Sequence, residues 1–357
     1  MTDPAPQRLR VDDFDYPLPI EAVAQSPAEP RDASRLLILD RAASRPGEPG
    51  LTRARFTEIR HWLHPGDLLV VNDTRVLRAR LRGRRSGGGA AEVLLLRPIP
   101  DGRWEALVRP SGRLRDGAIV RLGSGDELLV EERLGEGTRA VRLPRAADTV
   151  MTEAGEMPLP PYITAREAPD ERYQTVYAEP PGSAAAPTAG LHFTPRLLED
   201  LAAAGVDRAT VTLHVGLDTF QPLDGTYVDE HHIHREWYTA PPATLTALAV
   251  ARERGARVVA VGTTTTRVLE TLARTAEPEG WTDLYLVPPH RFGAVDALIT
   301  NFHLPRSSLL LLVTAFVQDG MPGSAPLEAR DTLLAAYGAA LESGYRFYSF
   351  GDAMLIL

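Results

Sequence analysis

Arg257-Val-Val-Ala-Val-Gly-Thr-Thr-Thr-Thr-Arg267 is the stretch on which the fold of this chain turns. Four apolar residues, three of them β-branched, stop at Gly262, as in a short strand buried on both faces. A polar run follows, and residues 268–273 continue it as a helix. Strand, glycine and helix in that order make the repeating unit of an α/β layer protein. The threonine run places hydroxyls and backbone N–H groups at a helix start, where the helix dipole favours an anion. It lacks the Gly-Lys-Ser/Thr of a P-loop, which argues against a nucleoside triphosphate. Two readings stay open: the threonines simply cap the helix, or Thr263 and Thr264 hold a carboxylate or phosphate with Arg267 as its partner.

The same alternation extends in both directions. Residues 206–215 read as a strand. Before it, Thr194 is placed as an N-cap, Pro195 as the first helical residue and Gly205 as the stop. Residues 244–255 and 327–344 read as further helices. The apolar strand 68–71 ends on Asn72-Asp-Thr-Arg75, at the carboxyl end where sheet proteins place ligand contacts. Asp73 there can accept from a ribose hydroxyl or an attacking amine, or can close a turn on its own backbone. A second such end is Asn301-Phe-His-Leu-Pro-Arg306, followed by Ser307 or Ser308 as the cap of a helix from Leu309. Asn301 and His303 thereby share one short connection between buried elements. The expectation is an α/β domain with a mainly parallel sheet.

Between these halves the texture changes. Residues 76–147 are rich in glycine and arginine, with short strands at 92–97, 103–108 and 118–122 separated by Gly87-Gly-Gly89, Asp101-Gly102 and Gly123-Ser-Gly125. Many short strands need closure to hide their edges, so this segment reads as a small inserted barrel. The expected organisation is a discontinuous α/β catalytic domain, 1–75 and 148–357, interrupted by a β-barrel, 76–147. The alanine- and proline-rich stretch 178–187 reads as a loop, placed to move over a site that includes His192.

Composition narrows the classes. The 357 residues are 44% hydrophobic and contain no cysteine, which excludes disulfides, thiolate catalysis and cysteine-ligated metal. No apolar run is long enough to span a bilayer, and the first residues carry no secretory pattern. A cytoplasmic, monomeric protein is expected. The net charge of -8 argues against a nucleic-acid partner, but all 39 basic residues are arginine and they are unevenly spread. Arg78, Arg80, Arg82 and Arg84 alternate along an expected strand, so they form either a solvated face or a phosphate-facing stripe.

Other polar clusters are weaker signals. His231-His-Ile-His-Arg-Glu236 would put His232, His234 and Glu236 on one face of a strand, a geometry open to a divalent ion. No second ligand cluster supports it. His192 and His214 each lie near a glycine, and either can be structural. No Ser-His-Asp order or glycine elbow supports a hydrolase. Tyr345-Arg-Phe-Tyr-Ser-Phe350 can stack a base but fits core packing better.

These segments, in order, resemble the S-adenosylmethionine:tRNA ribosyltransferase-isomerase family. The resemblance is carried by Arg31-Asp-Ala-Ser-Arg-Leu-Leu37, Pro65-Gly-Asp-Leu-Leu-Val-Val-Asn-Asp-Thr-Arg75, Pro158-Leu-Pro-Pro-Tyr-Ile163 and Arg172-Tyr-Gln-Thr-Val-Tyr177. Pro187-Thr-Ala-Gly-Leu-His-Phe-Thr194, His214-Val-Gly216, Gly262-Thr-Thr-Thr-Thr-Arg267, Asn301-Phe-His303, Gly344-Tyr-Arg-Phe347 and Gly351-Asp-Ala-Met354 complete it. It implies an α/β domain interrupted by a barrel. It also implies transfer and isomerisation of the ribosyl part of S-adenosylmethionine onto 7-aminomethyl-7-deazaguanine in the anticodon loop of a tRNA. Epoxyqueuosine forms, and adenine and methionine leave. No metal or redox cofactor beyond that co-substrate is implied.

On this basis His192, His214, His234, His303 and Asp73 are the acid–base candidates. Asn72, Asp73 and Asn301 are expected to orient ribose, and Arg75 and Glu236 are further substrate-binding candidates. Thr263, Thr264 and Arg267 are expected to bind an anion, first of all the methionine carboxylate. Three positions depart from the family pattern: Asp218 and Pro289 replace glycines, and Arg235 replaces a serine. Asp218 adds a negative charge near an anion path, which raises the alternative of a relative that keeps S-adenosylmethionine but uses another acceptor. A non-catalytic RNA-binding module built on the arginine-rich barrel is the third reading.

Overall fold

The computed structural model describes residues 8–135, 137–165, 168–216 and 223–357. In chain order, the hairpin β1 (Arg35–Arg45) and β2 (Glu48–Arg55) is followed by β3 (Leu68–Asn72). Next come β4 (Arg75–Val76), β5 (Arg80–Arg85), β6 (Ala90–Ile99), β7 (Arg103–Arg109), β8 (Ile119–Leu122), β9 (Glu127–Gly135) and β10 (Thr138–Arg142). Helix α1 (Ala147–Ala154), β11 (Gly155–Glu156) and β12 (Pro181–Ser183) follow. The chain continues through α2 (Pro195–Ala203), β13 (Asp207–Leu213), β14 (Glu236–Thr239), α3 (Pro242–Glu253), β15 (Val258–Val261) and α4 (Thr263–Thr275). It ends with β16 (Glu279–Thr282), β17 (Ala297–Asn301), α5 (Ser308–Asp319), α6 (Pro326–Glu342) and β18 (Ala353–Ile356).

Two compact units result: Met1–Asp73 with Pro161–Glu179 and Pro187–Leu357, and Thr74–Pro160 with Pro180–Ala186. The first unit is an α/β layer structure on a nine-stranded sheet of order β16-β14-β13-β3-β15-β17-β18-β1-β2. Its centre, β13-β3-β15-β17, is parallel. Antiparallel β14 and β18 bound that centre on either side. Parallel pairing is confined to strands joined by long connections that carry helices. Leu69, Val71, Val259, Val261 and Ile299 alternate onto one face, where they pack with Phe56, Phe193, Leu197 and Leu201. The opposite-facing Leu68, Val70, Val258, Ala260 and Leu298 are also buried, so these strands read as continuous apolar runs.

Helix boundaries follow local chemistry. The Thr194 hydroxyl accepts from Leu197 N–H, with Pro195 in the first turn of α2. Ser307 caps α5 by accepting from Leu310 N–H. At α4 the helix begins earlier than its apolar residues indicate. All four threonines lie inside it, because Gly262 at φ 89° turns the chain directly out of β15.

The second unit is a closed antiparallel barrel, with six strands running β5-β6-β7-β10-β9-β8 and β8 pairing back on β5. Closure depends on Gly83, where a Cβ would meet the Arg121 carbonyl oxygen at 2.4 Å. Leu81, Val93, Val108, Val120, Leu128 and Val141 fill the interior. The stretch 178–187 is not a simple loop: β12 pairs in parallel with β4, and Ser183 and Ala184 to Ala186 are buried. The arginine stripe on β5 does not stand free for phosphate. Arg80 and Arg82 both lie 3.7 Å from Glu92, and Arg82 lies 3.3 Å from Glu156.

Candidate functional site

The parallel strands bring their carboxyl ends to one edge of the first unit, and the polar segments collect there. Asn72 closes β3. Its Nδ2 donates to the Leu213 carbonyl at 3.0 Å and to Thr264 Oγ1 at 3.2 Å, while its Oδ1 accepts from Leu213 N–H at 3.1 Å. One buried amide thus ties β3, β13 and α4 together. Asp73 follows, with Oδ1 accepting from the Thr212 hydroxyl at 2.6 Å. Burial pushes its carboxyl above the usual carboxylate range, against hydrogen bonds from Thr212 and Thr210 that lower it.

On the next strands, Gly262 opens α4 and Asn301 ends β17. A 3-10 turn, Thr188–His192, packs over both: Ala189 Cβ lies 3.5 Å from the position a Cβ on Gly262 would take. Thr188 donates to Asn301 Oδ1 at 2.9 Å, and Asn301 Nδ2 lies 3.2 Å from His192 Nε2. His192 Nδ1 lies 2.8 Å from Ser34 Oγ. Since the amide can only donate to Nε2, this arrangement assigns the ring proton to Nδ1, which donates to Ser34. Burial, with the charges of Arg346 and Arg31, lowers the His192 pKa to about 3, so the imidazole is neutral. Its ring also packs on Phe56 at 5.0 Å. A small cavity opens beside it, lined by Pro27, Arg31, Arg172, Leu191, Ser349 and Gly351.

The other sequence candidates divide. His214, at the end of β13, stacks on Trp237 with ring centroids 5.2 Å apart, and burial lowers its pKa. His303 turns into the interior. Its Nε2 meets Thr300 Oγ1 at 2.8 Å, and its backbone N–H donates to Tyr337 OH at 3.1 Å. Burial brings its pKa to about 3, and among the described residues its Nδ1 has no hydrogen-bond partner. His234 is exposed and precedes β14, whereas Glu236 is buried, so the shared strand face with His232 does not form. Among the described residues no three His, Cys, Asp or Glu side chains gather as metal ligands.

Arg267 is not aimed at an open anion site. Its guanidinium is buried against Glu236 and also donates to the Leu284 carbonyl at 3.1 Å. The other Glu236 oxygen accepts from Gly216 N–H at 2.7 Å. Thr263 and Thr264 sit buried in the first turn of α4. Arg75 belongs to the barrel unit, where its N–H donates to the Pro180 carbonyl at 2.8 Å. Tyr345, Phe347, Tyr348 and Phe350 are buried, and Phe347 stacks on Phe302 at 4.5 Å, so that segment is core. Asp218 lies outside the described residues; Arg235 and Pro289 are exposed.

Sequence reasoning passed over Ser34, Thr188 and Thr212. Each is a small hydroxyl whose partner lies more than a hundred positions away. The available signal was position: Ser34 and Thr188 stand within segments that carry the family resemblance.

A polar cluster at the carboxyl edge of a parallel sheet defines the ligand-binding class of α/β proteins. The family model described as queuosine biosynthesis protein matches residues 11–356. A Heliobacterium modesticaldum protein named S-adenosylmethionine:tRNA ribosyltransferase-isomerase is 51% identical, over 96% of this chain and 98% of its own length. One of the same name from Moorella thermoacetica is 49% identical over 98% and 100%. The crystal structure of an S-adenosylmethionine tRNA ribosyltransferase from Thermotoga maritima aligns at TM-score 0.54 and 39% identity, covering 97% of this chain and all of that one. The chain belongs to the queuosine biosynthesis protein family.

Proposed function

We propose that this chain is an enzyme that transfers and isomerises the ribosyl moiety of S-adenosylmethionine onto 7-aminomethyl-7-deazaguanine in the anticodon loop of tRNA, releasing adenine and methionine. The observation that carries this reading is the convergence of family-like segments on one sheet edge: Asn72-Asp73, Thr188 to His192, Gly262 to Thr264, and Asn301. We place the reaction in the cytoplasm, by a monomer, with no metal or redox cofactor.

The chemistry needs a base for the acidic proton beside the sulfonium, a hold on the ribose and a way to orient the acceptor amine. His192 suits the edge position, because the Asn301 amide N–H faces the Nε2 lone pair and so leaves the ring proton on Nδ1, toward Ser34. A ribose hydroxyl that displaces the Asn301 amide meets that lone pair. Asp73, held by Thr212 and raised by burial, is the second proton acceptor on the edge, and a stronger base than an ordinary carboxylate. Among the histidine candidates this reading prefers His192, since His303 hydrogen-bonds Thr300 in the interior and His234 is exposed ahead of β14. The reading with a different acceptor rests chiefly on Asp218, which lies outside the described residues; the name shared by the relatives supports the tRNA acceptor instead.

The test is adenine release from S-adenosylmethionine in the presence of tRNA carrying the 7-aminomethyl-7-deazaguanine base. Release by the native chain is expected, with a loss of about 10²–10⁴-fold in His192→Ala if that imidazole moves a proton. No adenine, with an active relative working in parallel, overturns the reading.

A further inference from the structure

The two ends of the barrel differ in how their arginines are neutralised. Strand register places the β6–β7, β8–β9 and β10–α1 connections at one end. The β5–β6, β7–β8 and β9–β10 connections lie at the other: Arg85 is opposite Val120, Glu92 opposite Arg109, and Leu107 opposite Thr138. At the first end each guanidinium meets a carboxylate. Arg103 lies 2.6 Å from Glu132, Arg121 2.6 Å from Glu127, and Arg145 2.5 Å from Asp126 and 2.6 Å from Glu153. At the second end Arg109, Arg113, Arg115 and Arg133 are exposed, and among the described residues none has a carboxylate partner. Arg115 and Arg133 line one concavity with Ser111, Gly112 and Arg139, whose charge Asp116 offsets at 2.6 Å.

This happens in a chain with 47 acidic and 39 basic residues, where acids are plentiful enough to pair every arginine. Like charges left together on one rim repel one another unless an anion joins them. Arginine forks match phosphate oxygens in two-point contacts, and a row of phosphates at fixed intervals answers several guanidiniums at once. We propose that this end of the barrel docks the sugar-phosphate backbone of the RNA substrate, through Arg113, Arg115 and Arg133. The surface rests on the tRNA reading above. It reads no bases: it adds affinity and sets the position of the RNA, and sequence discrimination lies elsewhere.

The experiment is filter binding of an unmodified tRNA transcript across a range of salt. It compares the native chain, the triple variant Arg113→Gln/Arg115→Gln/Arg133→Gln, each single variant, and Arg121→Gln at the opposite end. Thermal melting of each confirms folding. The triple variant is expected to bind about tenfold or more weakly at low salt. Its slope of log K against log salt should shrink by about 2, since each lost phosphate contact removes roughly 0.7–0.9. Arg121→Gln should stay within about twofold, because its charge is already neutralised. A folded triple variant with native affinity and slope overturns the surface and leaves the enzymatic reading intact. Tight RNA binding by the native chain without adenine release overturns the enzymatic reading and leaves the surface standing. A native chain that binds no RNA overturns both. Should the triple variant melt early, the single variants carry the test, each expected to weaken binding by about two- to fivefold.

Discussion

Histidine chemistry in this protein is decided by what each ring touches. His192 and His303 are both buried and neutral, yet only His192 sits in a relay of hydroxyl, imidazole and amide at the sheet edge. Their folded pKa values near 3 lie below the ordinary value of 6.5. As the pH falls below about 6.5, the unfolded chain takes up protons that the folded rings refuse. Stability is therefore lost between about 6.5 and 3, by about 1.4 kcal/mol per pH unit for each ring. Urea unfolding of His303→Gln across pH 6.5 to 4 should show a shallower pH dependence than the native chain by about that slope; an unchanged slope would contradict the burial argument. Asn72 shows the same lesson in an amide. Its donors and acceptor are spent on Leu213 and Thr264, so it shapes the edge before any substrate arrives.

At the scale of elements, the Arg267–Glu236 pair joins α4 to β14 and, through Gly216 N–H, to the segment after β13. Both side chains are buried, so removing one partner strands the other's charge. Arg267→Met is expected to cost about 3–5 kcal/mol, and the double variant with Glu236→Leu to recover part of that loss. Equilibrium unfolding of the three variants checks it; an Arg267→Met cost below about 1 kcal/mol would contradict the argument from a buried charge left without its partner. The same region shows how the threonine run folds. From Gly262 onward the pattern suits an anion loop, but the glycine starts α4 at once and buries the hydroxyls in its first turns. Thr265 and Thr266 donate back to the Val261 and Gly262 carbonyls at 2.7 and 3.1 Å.

For the molecule as a whole, a substrate that binds only the folded form must stabilise it. S-adenosylmethionine at a hundred times its Kd is expected to add about 2.7 kcal/mol, seen as a rise in melting temperature that grows with concentration. No rise at millimolar S-adenosylmethionine, with or without tRNA, would remove the co-substrate from the proposal. The charge distribution belongs to this scale too. Net charge alone argues against RNA, yet the acids are spent on particular arginines and leave others exposed at one end of the barrel.

Local pattern was enough for the layers and caps. Apolar runs at 68–71 and 258–261, the Thr194-Pro195 start, a serine cap at 307 or 308 and the short strands of the barrel are all written within a few neighbouring residues, where propensity and capping act. Partnership across distance was not legible in the same way. That Glu236 would take Arg267, that Glu92 would hold Arg80 and Arg82, that His303 would face inward and that Ser34 would meet His192 depend on strand order and register. A side chain's donors and charge are known from its type, but what satisfies them is settled only when folding brings distant segments within about 3 Å of one another.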